Sequence, residues 1–245
     1  MSATTLTYRR ARLAFVDLSV GFSQAVAWFV AVVVIVFLAI GVIVELATGG
    51  ITESLWENSQ YATRYFPLSM GIMITAAYLP VAVASGLTRR TFGWAGTGVV
   101  LALSGAMALL EAGGYLVEHG LYRLLGETQE FTTPHLFDHG YQFWIVFPEV
   151  WIVVAANVAG GWLIGSAYYK WGWLGPTLAL PLLLLPILAV EAIMSVGWAG
   201  AAMENLGVER LPDGLAVLAA LAVLAVTLAG IQRSIRTIDL RPQKA

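Results

Sequence analysis

Six apolar stretches, each longer than the roughly 18 residues that mark a transmembrane helix, limit what this chain of 245 residues can fold into. No ten-residue alternation typical of a membrane β-barrel accompanies them. Charged residues make up 11% of the chain, whereas soluble domains carry about 25%. The sequence therefore predicts an all-α membrane protein in which a single domain contains six transmembrane helices.

The predicted spans lie between short polar connections. Spans one to four cover residues 24–47, 66–84, 94–117 and 141–166. Span five begins after Pro176 and ends near Trp198, and span six covers residues 215–231. Pro181 and Pro186 are expected to bend span five. Residues 1–23 are predicted to form a cytoplasmic amphipathic segment on the membrane surface, residues 24–231 the transmembrane domain, and residues 232–245 a basic cytoplasmic tail.

The Lys and Arg residues predict the orientation, because these residues collect in short cytoplasmic loops. Of the 13 in the chain, three lie in segments assigned to the outside: Arg64, Arg123 and Arg210. The other ten lie in segments assigned to the inside: Arg9, Arg10, Arg12, Arg89, Arg90, Lys170, Arg233, Arg236, Arg241 and Lys244. This asymmetry predicts that both termini are cytoplasmic and that the number of spans is even.

A short basic turn, residues 85–93, separates the second and third spans. It reads Ser-Gly-Leu-Thr-Arg-Arg-Thr-Phe-Gly. This loop resembles the first cytoplasmic loop of ABC-2 type ABC transporter permeases. Residues 169–172 (Tyr-Lys-Trp-Gly) resemble the second cytoplasmic loop of that family, and residues 8–22 resemble its amphipathic elbow helix.

The resemblance implies a short cytoplasmic coupling helix between spans two and three that binds in a groove of a separate ATPase subunit. The coupling residues would be Gly86, Leu87, Thr88, Arg89, Arg90, Thr91 and Phe92. It further implies a bacterial plasma-membrane protein that works as a dimer with a second permease copy or a related permease. ATP and Mg would bind to the partner subunit, with no cofactor and no catalytic residue in this chain. The chain itself has no Gly-x-x-x-x-Gly-Lys-Ser/Thr phosphate loop. The alternative is that Arg89 and Arg90 only fix the topology and touch lipid phosphates.

Four carboxylates lie within or close to the apolar spans, all in the predicted outer half: Glu45, Glu111, Glu149 and Glu191. Acidic residues at such depth are costly, so they usually face a cavity or a partner group rather than lipid. One hypothesis is an acidic outer vestibule in which Glu111, Glu149 and Glu191 line the translocation path of a cationic or amphipathic cargo. The alternative is that Glu45 reaches the interface while the others pair with polar groups between helices.

The remaining motifs indicate less specific roles. The chain has no cysteine, which excludes disulfides and thiol chemistry. His135-x-x-Asp138-His139 offers nitrogen and oxygen ligands, but Pro134 and Gly140 frame it as a turn, so no metal site is expected. All three histidines are predicted to lie in the loop 118–140, outside the spans. Gly161 and Gly165 permit close helix approach, either within the chain or between two copies.

Together these features predict the permease subunit of an ATP-driven exporter, which forms the path for an amphipathic or cationic small molecule, peptide or lipid-like cargo. Two other classes stay open. One is a helical membrane anchor or sensor subunit of a larger complex. The other is a proton-coupled secondary transporter that uses the glutamates, although the two halves show no inverted repeat.

Overall fold

A computed structural model describes residues 3–48 and 53–238 of the chain. Within these ranges the protein is helical and has no β-strand. A 3-10 turn, Trp56–Asn58, precedes the second helix, and a π-helical segment, Ile74–Tyr78, joins the second helix to the third. The α-helices are α1 (Ala3–Thr48), α2 (Ser59–Met73), α3 (Leu79–Ala84), α4 (Arg89–Leu125), α5 (Phe143–Trp171), α6 (Leu174–Leu178), α7 (Leu180–Met194), α8 (Gly197–Asn205) and α9 (Asp213–Arg236).

Five helical stretches are long and apolar enough to cross a membrane. They are Arg12–Ala47, Trp56–Ala84, Arg89–Leu125, Phe143–Trp171 and Asp213–Arg236. Helices α7 and α8 pass the same test together and are bent by 58° where they meet. The predicted all-helical, multi-pass membrane fold is confirmed, and the predicted count of six spans is reached when the bent pair is one span.

The break in the bent pair lies at Ser195 and Val196 rather than at a proline. Ser195 ends α7 with a left-handed backbone, at a φ of 54°. Pro181 lies in the first turn of α7, where a missing N–H costs no hydrogen bond. Helix α7 continues through Pro186. The sequence does not predict this break. A second interruption of the predicted span, at Ala179 between α6 and α7, lies two residues before Pro181.

Helix α1 continues without interruption through residues 23 and 24, where the sequence predicts a boundary. Ala14, Leu18 and Phe22 are buried in the main core cluster of the bundle. The apolar face of this segment thus packs on other helices, and no proline ends the helix before Thr48. The N-terminal segment and the first span form one helix of 46 residues, not two elements. The predicted tail residues Arg241 and Lys244 lie outside the described residues.

Helix α4 is longer at both ends than the predicted span 94–117. The Thr88 side chain accepts a hydrogen bond from the Thr91 N–H and caps the start, and Gly126 ends the helix with a φ of 80°. His119 consequently lies inside α4, which corrects its predicted place in a loop. The reason is that a drop in hydropathy marks the edge of the membrane, whereas caps mark the end of a helix.

Helix α5 lies at the centre of the bundle and packs against α2, α4, α7 and α9. A Cβ atom added at Gly161 would overlap the Leu68 carbonyl oxygen of α2, and one added at Gly165 would overlap that of Ile72. The Gly-x-x-x-Gly spacing therefore serves a backbone contact within the chain. The sequence alone leaves this choice open.

Candidate functional site

The basic turn connects α3 directly to α4 through residues 85–88. Gly86 adopts a φ of 84°, which favours glycine, and Thr88 caps α4. Arg89 and Arg90 are consequently the first two residues of α4. The predicted separate coupling helix is wrong for this chain, because a four-residue connection ending in a helix cap leaves no room for one.

The seven predicted coupling residues divide into two groups. Phe92 and Thr91 are buried, and Phe92 belongs to the main core cluster, against which Leu87 also packs. Gly86, Thr88 and Arg90 are exposed, and Arg89 is half-buried. The inner group fixes the turn to the bundle, while the outer group remains accessible.

The two arginines form no ion pair with any residue that the structure describes. Arg89 Nε is buried and has no hydrogen-bond partner among the described residues. The ends of α5 and α9 lie nearby, since Gln232 Nε2 of α9 donates to Thr97 Oγ1 of α4 and Lys170 Nζ of α5 donates to Thr237 Oγ1. We call this the basic end of the bundle, defined by Arg89, Arg90, Lys170, Arg233 and Arg236.

A buried polar cluster occupies the opposite end, which we call the loop end because residues 126–142 cover it. All of its side chains are buried. The cluster consists of Glu57 in the 3-10 turn, Ser59 and Arg64 on α2, Glu111 on α4, His135 in the loop, Glu149 on α5 and Glu191 on α7.

His135 is the centre of the cluster. Its Nδ1 lies 2.8 Å from Glu149 Oε1, and its Nε2 lies 3.6 Å from Glu57 Oε1 and 3.2 Å from Thr133 Oγ1. A carboxylate only accepts hydrogen bonds, so Nδ1 must carry the proton in the bond to Glu149. One imidazole thus joins two carboxylates that belong to different helices.

The same two carboxylates hold the loop backbone. Glu57 accepts hydrogen bonds from the N–H of Thr132 at 2.8 Å and of Thr133 at 2.6 Å, and from both threonine hydroxyls. Glu149 accepts from the Leu136 N–H at 2.7 Å. The loop is therefore tied to the 3-10 turn before α2 and to α5 by charge-assisted hydrogen bonds, the strong class in proteins.

The other predicted path residues have their own partners. Glu111 is completely buried and contacts the Ser59 hydroxyl at 2.9 Å through both oxygens. Glu191 Oε1 lies 3.9 Å from Arg64 Nη1, and Arg64 Nη2 donates to Gln60 Oε1 at 2.6 Å. Helix α2 is thus bound at its first two turns to α4 and α7.

The free energy of unfolding should decrease as pH rises, because of His135. Burial on its own would lower the pKa of this histidine, but the hydrogen bonds and charges of Glu149 and Glu57 outweigh it and raise the pKa to about 9. The unfolded chain has a histidine pKa of about 6.5. The stabilisation is therefore complete below pH ~6.5 and is lost as pH rises through ~9, by on the order of 3 kcal/mol. Unfolding in detergent micelles at a series of pH values measures it. In the control, His135→Gln, the free energy of unfolding should not decrease over this pH range. If the free energy depends on pH in the same way in both proteins, the raised pKa is contradicted.

Three of the four predicted carboxylates come together in this cluster, whereas Glu45 does not. It is exposed at the end of α1. Sequence reasoning missed Glu57, Arg64 and His135 as members, since they fall in segments predicted as polar interface and loop. The spacing of Glu57, Gln60 and Arg64 at three and four residues was the one available signal that they share a helical face.

The histidine motif of the loop does not act as one unit. His135 is buried against the two carboxylates, while Asp138 and His139 are exposed and the His139 ring stacks on Tyr141 at 5.2 Å. No group of three or more potential ligands with metal-site geometry occurs among the residues that the structure describes. The hydrogen bonds and ion pairs of the cluster join helices to one another and to the loop.

Comparison of the chain with protein-family models, with curated proteins and with solved structures finds no match.

Proposed function

We propose that this chain is the permease subunit of an ATP-driven exporter in a bacterial plasma membrane. The observation that carries the proposal is the basic turn: two arginines without an acidic partner among the described residues begin α4, directly after a four-residue connection between two spans. Arginine offers a planar set of donors that fits the carboxylates of a soluble protein. The basic end would face the cytoplasm under the positive-inside rule.

The turn is suited to transmit force because its junction with α4 is fixed. Thr88 caps α4, and Phe92 is completely buried one turn later. Helix α4 then continues to Leu125, a length of about 55 Å at 1.5 Å per residue. A partner that moves Arg89 and Arg90 would move a long helix rather than a slack loop.

The other ends of the same helices hold the polar cluster. Glu57 and Arg64 belong to the span that enters the basic turn, and Glu111 belongs to the span that leaves it. A displacement that starts at the turn would therefore reach the contacts that close the loop end. Release of these contacts would open a path for an amphipathic or cationic cargo, as in a two-state transporter.

The partners in this proposal are cytoplasmic ATPase subunits, which would bind ATP and Mg, and a second copy of the chain or a related permease. This chain would carry out no covalent chemistry. The cluster residues Glu111, Glu149 and Glu191 then serve as closing contacts of the path at the loop end, since each is engaged by a side chain of the protein itself.

A copurification experiment tests the proposal. The tagged full-length chain is expected to retain a subunit with ATPase activity when it is purified from native membranes in mild detergent. Changing Arg89 and Arg90 together to Glu should reduce the retained ATPase activity at least tenfold, because the change replaces attraction with like-charge repulsion.

Arg123→Glu is the matched control for the charge change. Arg123 is an exposed arginine in the last turn of the same helix, at the loop end. The control should retain the ATPase at the level of the unmodified chain. Purification without any ATPase, or equal retention by the double variant and the control, would contradict the proposal.

A further inference from the structure

An open apolar groove lies between α1 and α4 at the loop end of the bundle. Its volume is about 720 Å³, within the range of roughly 300–1,000 Å³ for small-molecule sites. On α1 it extends from Val34 to Leu46, and on α4 from Leu109 to Leu125. These lengths are about 18 and 24 Å at 1.5 Å per residue. The groove is therefore somewhat longer than one leaflet of the hydrocarbon core, which is roughly 15 Å thick.

Two glycines of α4, Gly113 and Gly114, line the groove. A Cβ atom added at Gly113 would meet no atom within 4 Å. Trp56 lies across the neighbouring Gly114 and packs edge-on against Phe37 at 5.3 Å. Two aromatic rings thus form part of the wall, and Gly113 leaves the space beside them open.

Two carboxylates line the groove, and they differ in their partners. Glu118 is buried and accepts hydrogen bonds from Ser54 Oγ, Trp56 N and Gln129 Nε2. Glu45 is exposed and forms no hydrogen bond or ion pair with the described residues. No described Lys or Arg lines the groove. The groove therefore presents one carboxylate, that of Glu45, without a partner among the described residues on a largely apolar wall.

The Glu45 carboxylate lies at one end of the groove. Glu45 is three residues before the end of α1, where the helix leaves the membrane, whereas Val34 lies deeper in the same span. Tyr122 lines the groove three residues before its Leu125 limit on α4, and aromatic rings attract quaternary ammonium groups. A molecule that fits this arrangement has a cationic head group and an apolar chain that points toward the middle of the bilayer.

We propose that the groove between α1 and α4 binds a cationic amphipath, with its head group at Glu45 and its alkyl chain along α1 toward Val34. The site differs from the predicted acidic vestibule, whose three other glutamates are engaged inside the protein. Binding requires neither ATP nor a partner subunit. Its test is therefore separate from the test of the proposed transport function.

Photolabelling of the full-length chain in neutral detergent micelles tests the proposal. The probes are three dodecyl chains with the same photoreactive group and different heads: trimethylammonium, sulfate and glucoside. The trimethylammonium probe is expected to label residues 34–46 and 109–125 and to saturate at the lowest concentration. Glu45→Gln should raise its half-saturating concentration about fivefold and leave that of the glucoside unchanged.

Two matched controls separate charge from shape. Glu204→Gln removes another exposed carboxylate, on α8 and outside the groove, and should change nothing. Gly113→Trp fills the groove and should reduce labelling by all three probes more than tenfold. Gly230→Trp adds the same side chain on α9, at a glycine with open space around it, and should leave labelling by the three probes unchanged.

Two results would overturn the proposal. Equal labelling of the groove by the three probes, unchanged in Glu45→Gln, would mean that any lipid chain fills it. A change in molecular mass by light scattering in Gly113→Trp alone, with labelling unaffected, would mean that a second copy of the chain covers the groove.

Discussion

Replacing His135 with alanine is expected to lower the free energy of unfolding by about 3–5 kcal/mol, the cost of removing one partner from a buried ion pair. The loss should fall mainly on Glu149. Glu57 would keep the backbone N–H groups of Thr132 and Thr133, whereas Glu149 would keep only the N–H of Leu136. Titration of the purified protein with sodium dodecyl sulfate in mixed micelles measures the change.

Two further variants make this prediction specific. His139→Ala is the control, since His139 is exposed and contacts no carboxylate among the residues that the structure describes. This variant should change stability by less than about 0.5 kcal/mol. Adding Glu149→Gln to His135→Ala removes the uncompensated charge and should restore on the order of 1–2 kcal/mol. Equal stability of the two histidine variants would show that His135 does not hold the loop.

The second large effect is expected at the contact between α2 and α5. Gly161→Ala and Gly165→Ala should each lower the free energy of unfolding by about 1–3 kcal/mol, because the new methyl group overlaps a backbone carbonyl that cannot move alone. This cost exceeds the gain of up to about 1 kcal/mol that alanine brings to a helix. The same micelle titration measures both variants.

Gly230→Ala is the matched control for this contact. A Cβ atom at Gly230 of α9 meets nothing within 4 Å, so alanine should be neutral or stabilising there. If Gly161→Ala and Gly165→Ala behave like the control, the two backbones do not approach as closely as described. If they weaken association between copies while leaving the monomer stable, the glycines serve an interface between chains instead.

The membrane-spanning architecture was predictable from the sequence because hydropathy adds along a segment. Each apolar run, such as 215–231, is long enough to indicate a span without knowledge of its neighbours. Helix ends were less predictable. Thr88 and Gly126 extend α4 beyond the apolar run at both ends, and Ser195 breaks the fifth predicted span with a left-handed backbone. Capping and left-handed backbone act locally and leave little mark on hydropathy.

The polar contacts of the glutamates depended on the tertiary structure. The cost of a buried carboxylate predicts that Glu149 and Glu191 need partners, but not which ones. Glu149 pairs with His135, which lies in a loop without periodicity, and Glu191 pairs with Arg64 of a different helix. The pairing follows from how the helices are rotated and how the loop folds over them.

The sequence by itself determined that this chain is a bundle of membrane helices, that its cations gather in a few short segments, and that Gly161 and Gly165 favour close packing. These properties depend on composition and spacing along single segments. Only the tertiary structure decided that the two glycines contact α2, that three glutamates are bound within the protein, and that Glu45 faces an open groove. Those outcomes depend on which helices become neighbours, because a side chain acquires its partner only when two distant segments meet.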